Sequence, residues 1–425
     1  MSERIRVLVV DDSALMRKLI PDILARDPAI EVVGTAMDGA FALKKIEELK
    51  PDVVTLDLEM PRMDGMETLR LIMRRAPMPV ILFSTHSKEG GYSTFKALAL
   101  GAVDFVAKPK DAAAGHLEEI ADQLIAKIKV AKRAAGRKLP PAVVLDDPPK
   151  LKKGNRPLLP PRRVIAIGIS TGGPNALQFV LTQIPAYFQS TIVIVQHMPE
   201  GFTDMFSRRL DECCALEVHE ARSGDLLLAG RVLICPGNRH IMVRHMPRGD
   251  MAVLSDGAPV NGHRPSADVL FHSVAQEFGL TAVGVLMTGM GDDGAEGLGA
   301  IKAAGGMTIA QSEDTCVVSG MPRAAILKGY ANKIIPLDAL SSFLVNQYGA
   351  ERGSGERSAA DRSAAERTAE RTAAERSGAA EKSAADKVEK NEQHDKNDKD
   401  NKHDKNEKID KIDKIEKTPV SSHRS

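Results

Sequence analysis

The chain has 425 residues, which is too long for one ordinary domain and favours two or three. Its 58 lysine and arginine residues balance 57 aspartate and glutamate residues, and aromatic residues make up only 4% of the chain, so the composition does not support nucleic-acid binding. No stretch approaches the roughly 18 apolar residues of a membrane-spanning helix, so we expect a cytoplasmic protein without membrane insertion.

The first region alternates buried strands and helices at the spacing typical of a parallel α/β sheet. Its strand patterns lie at residues 4–10, 31–35, 52–56, 80–83 and 103–107, and a closing amphipathic helix is predicted at 115–131. In a doubly wound parallel sheet, the carboxyl ends of the strands meet at one edge, where ligands bind. We therefore expect the polar residues after these strands to gather at that edge.

Those polar residues have a specific chemistry. Asp11 and Asp12 follow the first strand, and Asp57, Ser84 and Lys108 follow three others. Crowded carboxylates repel one another unless a hard divalent cation neutralises them. Asp57 could then act as a nucleophile toward a phosphoryl group, which Lys108 would pair with and Ser84 would hydrogen-bond. The alternative is a solvated acidic loop with an unrelated lysine.

Residues 4–130 resemble response-regulator receiver domains through VVDDS at 9–13, TLDLEMPRMDG at 55–65, Ser84, and FVAKP at 105–109. The resemblance implies that Asp57 is the phosphorylation site. It also implies a Mg2+ site whose ligands are Asp12, Asp57 and the Glu59 carbonyl, with Asp11 in support. Ser84, Phe105 and Lys108 match the positions through which phosphorylation reshapes one face of the domain.

Residues 131–162 contain three Pro-Pro pairs among Lys, Arg and Gly, which predicts a proline-rich interdomain linker. A second α/β domain is predicted from Val164 onward. Its strand patterns lie at 164–169, 191–195 and 281–287, and its helical patterns at 175–181, 294–304 and 323–328. Short strands at 232–235, 241–244 and 251–254 are predicted to form a meander or hairpin that flanks the parallel sheet.

The first strand of this domain runs into Gly168-Ile169-Ser170-Thr171-Gly172, a G-x-S-x-G arrangement in which a serine projects from a tight turn. His197 follows the second strand, and Asp292 and Asp293 follow the third. One sheet edge would thus receive a nucleophile, a base and a carboxylate to orient the base. Backbone amides after Ser170 and in the Met290-Gly291 turn could bind an oxyanion.

Several alternatives stay open at this point. The glycine-rich turn could instead bind a phosphate or allow close helix packing. His240, His263 and His272 compete with His197 for the role of base. Spacing alone does not separate Asp293 from Asp292.

Residues 163–347 resemble the catalytic domain of the CheB family of chemotaxis methylesterases. The matching blocks are GISTGGP at 168–174, QHMP at 196–199, CPGNRH at 235–240, NGHRPSADVLF at 261–271, LMTGMGDDGA at 286–295 and VVSGMPRAA at 317–325. The resemblance implies a catalytic triad of Ser170, His197 and Asp293, oxyanion amides at Thr171 and Met290, and no cofactor in the hydrolase site.

The chain is therefore predicted to be an α/β protein with two doubly wound parallel-sheet domains, a receiver domain and a Rossmann-like methylesterase domain with a β-hairpin. By resemblance, it is a phosphorylation-activated serine hydrolase that demethylates glutamate methyl esters and deamidates glutamines on methyl-accepting chemotaxis receptors. A chemotaxis histidine kinase would be its phosphodonor, and we expect a monomer. The alternatives are the same chemistry on another protein, or a phospho-switched binding module without activity. Residues 351–425, built from AERT, DKN and KIDK units, are predicted to form a disordered tail.

Overall fold

The computed structural model describes residues 4–85, 87–108, 114–134 and 159–349. The predicted linker at 131–162 lies outside the described residues except at its two ends, and the predicted tail at 351–425 lies wholly outside them. Of the helices in the described ranges, none combines the length and the apolar content that a membrane crossing requires.

The first domain is a doubly wound parallel sheet. Its strands and helices are β1 (Ile5–Val10), α1 (Ala14–Leu24), β2 (Ile30–Ala36), α2 (Gly39–Leu49), β3 (Val53–Asp57), α3 (Gly65–Arg75), β4 (Val80–Ser84), α4 (Lys88–Ala99), β5 (Asp104–Ala107) and α5 (Ala114–Ala134). Within the described residues the strand order is β2-β1-β3-β4-β5, with every pairing parallel. The predicted fold class is confirmed, and Asp57, Ser84 and Lys108 lie at the same edge of the sheet.

Helix α4 is a part of this domain that the sequence pattern does not predict. Gly90 and Gly91 lie in its first turn, and glycine costs about 1 kcal/mol relative to alanine inside a helix. Ser87 compensates at the start of the helix, because its Oγ accepts a hydrogen bond from the Gly90 amide at 2.9 Å. Phe95 and Leu98 are buried on the inner face. Tertiary packing therefore overrides a weak local helix propensity.

The second domain has a larger parallel sheet with a separate hairpin. Its elements are β6 (Val164–Ile169), α6 (Gly173–Leu181), β7 (Thr191–Gln196), α7 (Phe202–Cys213), β8 (Glu217–Glu220), β9 (Arg231–Ile234), β10 (His240–Met246), β11 (Gly249–Ser255), α8 (Ala267–Phe278), β12 (Ala282–Leu286), α9 (Ala295–Ala303), β13 (Met307–Gln311), α10 (Gly320–Leu327), β14 (Lys333–Ile335) and α11 (Leu337–Tyr348).

In the described part of this domain the strand order is β14-β13-β12-β6-β7-β9-β8, again with parallel pairings only. The chain leaves β6 toward β7 on one side and returns to β12 on the other, so a ligand crevice is expected where these three strands end. The hairpin is confirmed in β10 and β11, which pair antiparallel. Placing 232–235 in the meander was wrong, because β9 pairs in parallel with β7 inside the sheet.

The two domains share one apolar cluster, in which α4 packs on α6 and α7. Ring centroids lie 5.1 Å apart for Phe95 and Phe206, and 4.8 Å apart for Phe105 and Phe202. Burial of several aromatic side chains at such distances is a substantial stabilising contact. The face of the first domain that carries Phe105 is therefore continuous with the second domain.

Candidate functional site

Ser170 lies directly after β6, on a turn that only a glycine can complete. Gly172 adopts a φ of 76°, and a Cβ at this position would lie 2.4 Å from Val317 Cγ2. A Cβ on Gly289 would lie 2.8 Å from the Ser170 Cβ. The loop after β12 thus approaches the serine closely because residue 289 has no side chain.

His197 occupies the corresponding position after β7, with its ring held by Asp293. Ile169 and Gln196 are register partners, so Ser170 and His197 follow adjacent positions of paired strands. His197 Nε2 lies 2.8 Å from Asp293 Oδ2, and Nδ1 is buried without a hydrogen-bond partner among the described residues. Since a carboxylate accepts only, Nε2 carries the proton, and Nδ1 is the nitrogen left free to accept one.

Asp293 is fully buried and is surrounded by donors from the start of α8. Its carboxylate accepts hydrogen bonds from Ser266 Oγ and the Ala267 amide, each at 2.6 Å. Burial raises the pKa of Asp293, but the bonds from His197, Ser266 and Ala267 outweigh it and lower the pKa to about 2. Asp293 therefore stays ionised and fixes the protonated nitrogen of His197.

The residues that compete with His197 and Asp293 in the sequence do not occupy equivalent positions in the structure. His240 uses both ring nitrogens, since Nε2–H donates to the Ala258 carbonyl and Nδ1 accepts from the Ser266 amide. His272 and Asp292 are exposed. His263 does reach the site, where its ring stacks on His197 with centroids 4.2 Å apart. The structure thus separates Asp293 from Asp292, which the spacing alone does not.

The two amides implied as oxyanion donors lie on the loops that flank Ser170. Thr171 is buried, Met290 is partly exposed, and neither backbone N–H has an acceptor among the described residues. Thr288 connects the loop after β12 with the Ser170 turn, because its Oγ1 donates to the Thr171 carbonyl at 3.0 Å. The same Oγ1 accepts from the Val318 amide at 3.1 Å. Free amides on a fixed turn are what an oxyanion site requires.

No hydrogen bond between described residues joins Ser170 Oγ to His197. Catalytic hydrogen bonds are often long without substrate and tighten in the complex. The sequence interpretation assigns no role to Thr288, Val317 or the donors of α8, although Thr288 lies in the LMTGMGDDGA block and Ser266 and Ala267 lie in the NGHRPSADVLF block. Val317 does lie within the VVSGMPRAA block, but its contact with Gly172 depends on the fold alone.

The acidic residues of the first domain meet at its sheet edge. Lys108 Nζ lies 2.6 Å from Asp57 Oδ2 and 3.3 Å from Asp11 Oδ2, and both carboxylates are buried. Asp12 is exposed beside them, within reach of a common ligand. Glu59 contributes its amide, which donates to Asp57 Oδ1 at 3.1 Å.

Burial raises the pKa of both Asp11 and Asp57, although Lys108 opposes the shift. Burial lowers the pKa of Lys108, but its hydrogen bond to Asp57 outweighs this and the pKa is raised. One lysine therefore serves two buried carboxylates. Asp11 Oδ2 has the Lys108 ion pair at 3.3 Å as its contact and accepts no regular hydrogen bond from a described residue, and this under-satisfied oxygen in an all-oxygen donor set fits a hard cation such as Mg2+.

Ser84 and Phe105 link this edge to the neighbouring domain. Ser84 Oγ lies 2.5 Å from Thr94 Oγ1 and donates to the Gly90 carbonyl at 3.3 Å, so it holds the first half of α4. Phe105 is buried against Phe202 of α7. Both residues thus contact elements that form the domain interface.

The chain is similar to known proteins over most of its length. Residues 165–344 match the family described as CheB methylesterase, and residues 7–118 match the response regulator receiver domain family. The chain is 63% identical over 357 residues to the protein-glutamate methylesterase/protein-glutamine glutaminase 2 of Koribacter versatilis, which covers 82% of this chain and 98% of that protein.

The protein-glutamate methylesterase/protein-glutamine glutaminase of Symbiobacterium thermophilum is 46% identical over 358 residues, with 81% of this chain and 97% of that protein covered. Among solved structures, the Thermotoga maritima CheB methylesterase catalytic domain matches at 36% identity and a TM-score of 0.43, covering 44% of this chain and 98% of that chain.

Proposed function

The chain belongs to the CheB family of protein-glutamate methylesterases/protein-glutamine glutaminases, and on that premise we propose that Ser170 hydrolyses glutamate methyl esters and glutamine amides on methyl-accepting chemotaxis receptors, in the cytoplasm. The observation that carries this proposal is the state of His197. Its Nε2 is bound by an ionised Asp293 while its buried Nδ1 has no partner among the described residues. That is the state a general base needs beside a serine.

The acylation step follows from these atoms. His197 Nδ1 takes the Ser170 Oγ proton as Oγ attacks the side-chain carbonyl, and the Thr171 and Met290 amides donate to the oxyanion. Protonated His197 is stabilised by Asp293, then gives its proton to the departing methanol. A glutamyl ester on Ser170 remains.

Deacylation repeats the same steps with water as the nucleophile. His197 accepts a proton from water, the Ser170 ester breaks, and glutamate is released as Oγ regains its proton. A glutamine side chain enters the same path with ammonia as the leaving group. One set of residues thus serves both reactions, because only the leaving group differs.

We propose that Asp57 is the phosphoryl acceptor and that a chemotaxis histidine kinase is the donor. Asp12, Asp57 and the Glu59 carbonyl would hold Mg2+, with Asp11 in support. When bound, the cation neutralises charge on the transferring phosphoryl oxygens. Lys108, now shared between Asp57 and Asp11, would pair with the new phosphate.

The switch would act through α4. If Ser84 Oγ turns to the phosphoryl group, it gives up its bonds to Thr94 and the Gly90 carbonyl. Helix α4 packs on α7 and on α6, the helix that follows the Ser170 turn, and the Leu98 carbonyl accepts from Asn175 Nδ2 at 2.8 Å. Phosphorylation would therefore loosen the receiver from the rim of the Ser170 site.

The test is methanol release from methyl-labelled receptor membranes by the full chain, with and without a small phosphodonor and Mg2+. We expect release that increases with the phosphodonor and disappears in Ser170→Ala. Methanol release that does not change with the phosphodonor would reject the proposed switch but would support the esterase activity. No release from the wild-type chain under any condition would favour another protein substrate.

A further inference from the structure

One contact at the hydrolase site has no role in the mechanism above. The His263 ring stacks on the His197 ring with centroids 4.2 Å apart and planes inclined by 16°. His263 comes from the loop between β11 and α8, whereas His197 follows β7. Two elements distant in sequence thus bring two imidazoles face to face beside Ser170.

The loop holds His263 firmly. Val260 and His263 exchange two backbone hydrogen bonds, at 2.9 and 3.0 Å, across a two-residue turn. Asn261 and Gly262 fill this turn with φ values of 51° and 73°, the left-handed conformation that asparagine and glycine adopt readily. Asn261 Nδ2 also donates to Asp268 Oδ2 at 2.7 Å. The ring is therefore anchored to the start of α8, which also supplies donors to Asp293.

The same loop fixes the protonation state of His263. Its Nδ1 lies 2.7 Å from the Asn261 carbonyl, which only accepts, so Nδ1 carries the proton and Nε2 does not when the ring is neutral. Burial, followed by the neighbouring His197, lowers the pKa of His263, while Asp293, Asp292 and the Asn261 carbonyl oppose the shift. A neutral ring therefore faces His197.

The bond to Asp293 alone restrains the His197 ring weakly. The χ2 torsion of histidine is broad, and Nε2 lies near the axis of that torsion, so rotation of the ring moves Nδ1 while Nε2 stays within reach of Asp293. A flat neighbour at stacking distance blocks this rotation. It also presents the face of a neutral π system to the positive charge that His197 acquires during catalysis.

We propose that His263 is a positioning residue for His197: its ring holds the plane of the base in the orientation from which Nδ1 can accept the proton of Ser170. This inference rests on the proposed serine hydrolase. It assigns His263 no proton transfer and no contact with substrate. A phenyl ring should therefore replace it, whereas a methyl group should not.

The test compares full-length His263→Ala, His263→Phe and a control, His272→Ala, which changes an exposed histidine of α8. Two rates are measured across pH: modification of Ser170 by a fluorophosphonate probe and methanol release from methyl-labelled receptor. We expect His263→Ala to lower both rates about tenfold or more at every pH, with KM within about twofold, because a misaimed base affects the chemical step. His263→Phe should stay within about threefold of wild type because it keeps the flat face.

Three results would overturn the proposal. If His263→Phe is as slow as His263→Ala, a nitrogen atom of His263 and not its face is required. A rise in KM alone would assign His263 to substrate binding, and unchanged rates in His263→Ala would remove any role. If the melting temperatures of His263→Ala and His263→Phe match that of His272→Ala, partial unfolding does not explain the lower rates. A wild-type chain that reacts with the probe but releases no methanol would reject the proposed substrate, while the probe rates would still decide the role of His263.

Discussion

The two sites of this protein lie at similar sheet edges but treat their buried carboxylates in opposite ways. In the receiver domain, Asp11 and Asp57 share Lys108, and burial raises the pKa of both. In the hydrolase domain, Asp293 is as deeply buried, yet its hydrogen-bond donors lower its pKa to about 2. The number of donors for each carboxylate, more than its depth, distinguishes the two sites. The first fits an added cation, whereas the carboxylate of the second is satisfied by donors of the protein itself.

The largest effect should come from removing the nucleophile of the complete site. Ser170→Ala should lower methanol release by about 10³-fold or more, since the oxyanion amides alone retain little of the rate. Phosphorylation of Asp57 by a small phosphodonor should be unchanged, because the two sites use separate residues. Radiolabel transfer to the chain checks the second expectation, and its loss would show that the substitution disturbs the whole protein.

A slightly smaller effect should follow from removing the charge that orients the base. Asp293→Asn should lower the rate about 10³-fold, because an amide favours the wrong His197 tautomer. Its neighbour offers a matched control, since Asp292 is exposed and Asp292→Asn should change the rate by less than about threefold. Initial rates with one receptor preparation compare the two variants. Equal losses would contradict the assignment of Asp293.

The need for a cation should be confined to the receiver domain. Chelation of Mg2+, or Asp57→Asn, should abolish stimulation by the phosphodonor and leave basal methanol release within about twofold, as expected for a distant and independent site. The measurement is basal and stimulated release from the same sample before and after chelation. If chelation also stopped basal release, the hydrolase site would need a metal, and the contrast between the sites would fail.

The sequence patterns predict the sheets well because the strands near the sites are short, mainly apolar runs that end at a polar residue or within two positions of one. Ser170 and His197 follow neighbouring strands, so their proximity could be inferred before the structure was known. Asp293 could not be distinguished from Asp292 in this way. That distinction depends on the start of α8, whose amides and Ser266 reach only one of the two carboxylates.

The domain interface shows where local patterns fail. Helix α4 has Gly90 and Gly91 in its first turn and is stabilised by contacts with α6 and α7. Helix α7 lies more than a hundred positions further along the chain. Similarly, the stacking of His263 on His197 requires the turn at Asn261 and Gly262. Such long-range contacts leave no periodic trace in the sequence, and they carry the regulation and the positioning that we propose.

The smallest predicted effect concerns the acid stability that the donors of Asp293 provide. Its folded-state pKa of about 2 lies below the ordinary value of 3.8, so the carboxylate stabilises the fold fully above pH 3.8 and progressively less as pH falls toward 2. The shift corresponds to about 2 kcal/mol of unfolding free energy. The stability difference between wild type and Asp293→Asn, measured by urea unfolding, should therefore shrink as the pH is lowered through this window. A difference that stays constant would mean that Asp293 contributes through packing and not through its charge, and the donors of α8 would then not account for the contrast with Asp57.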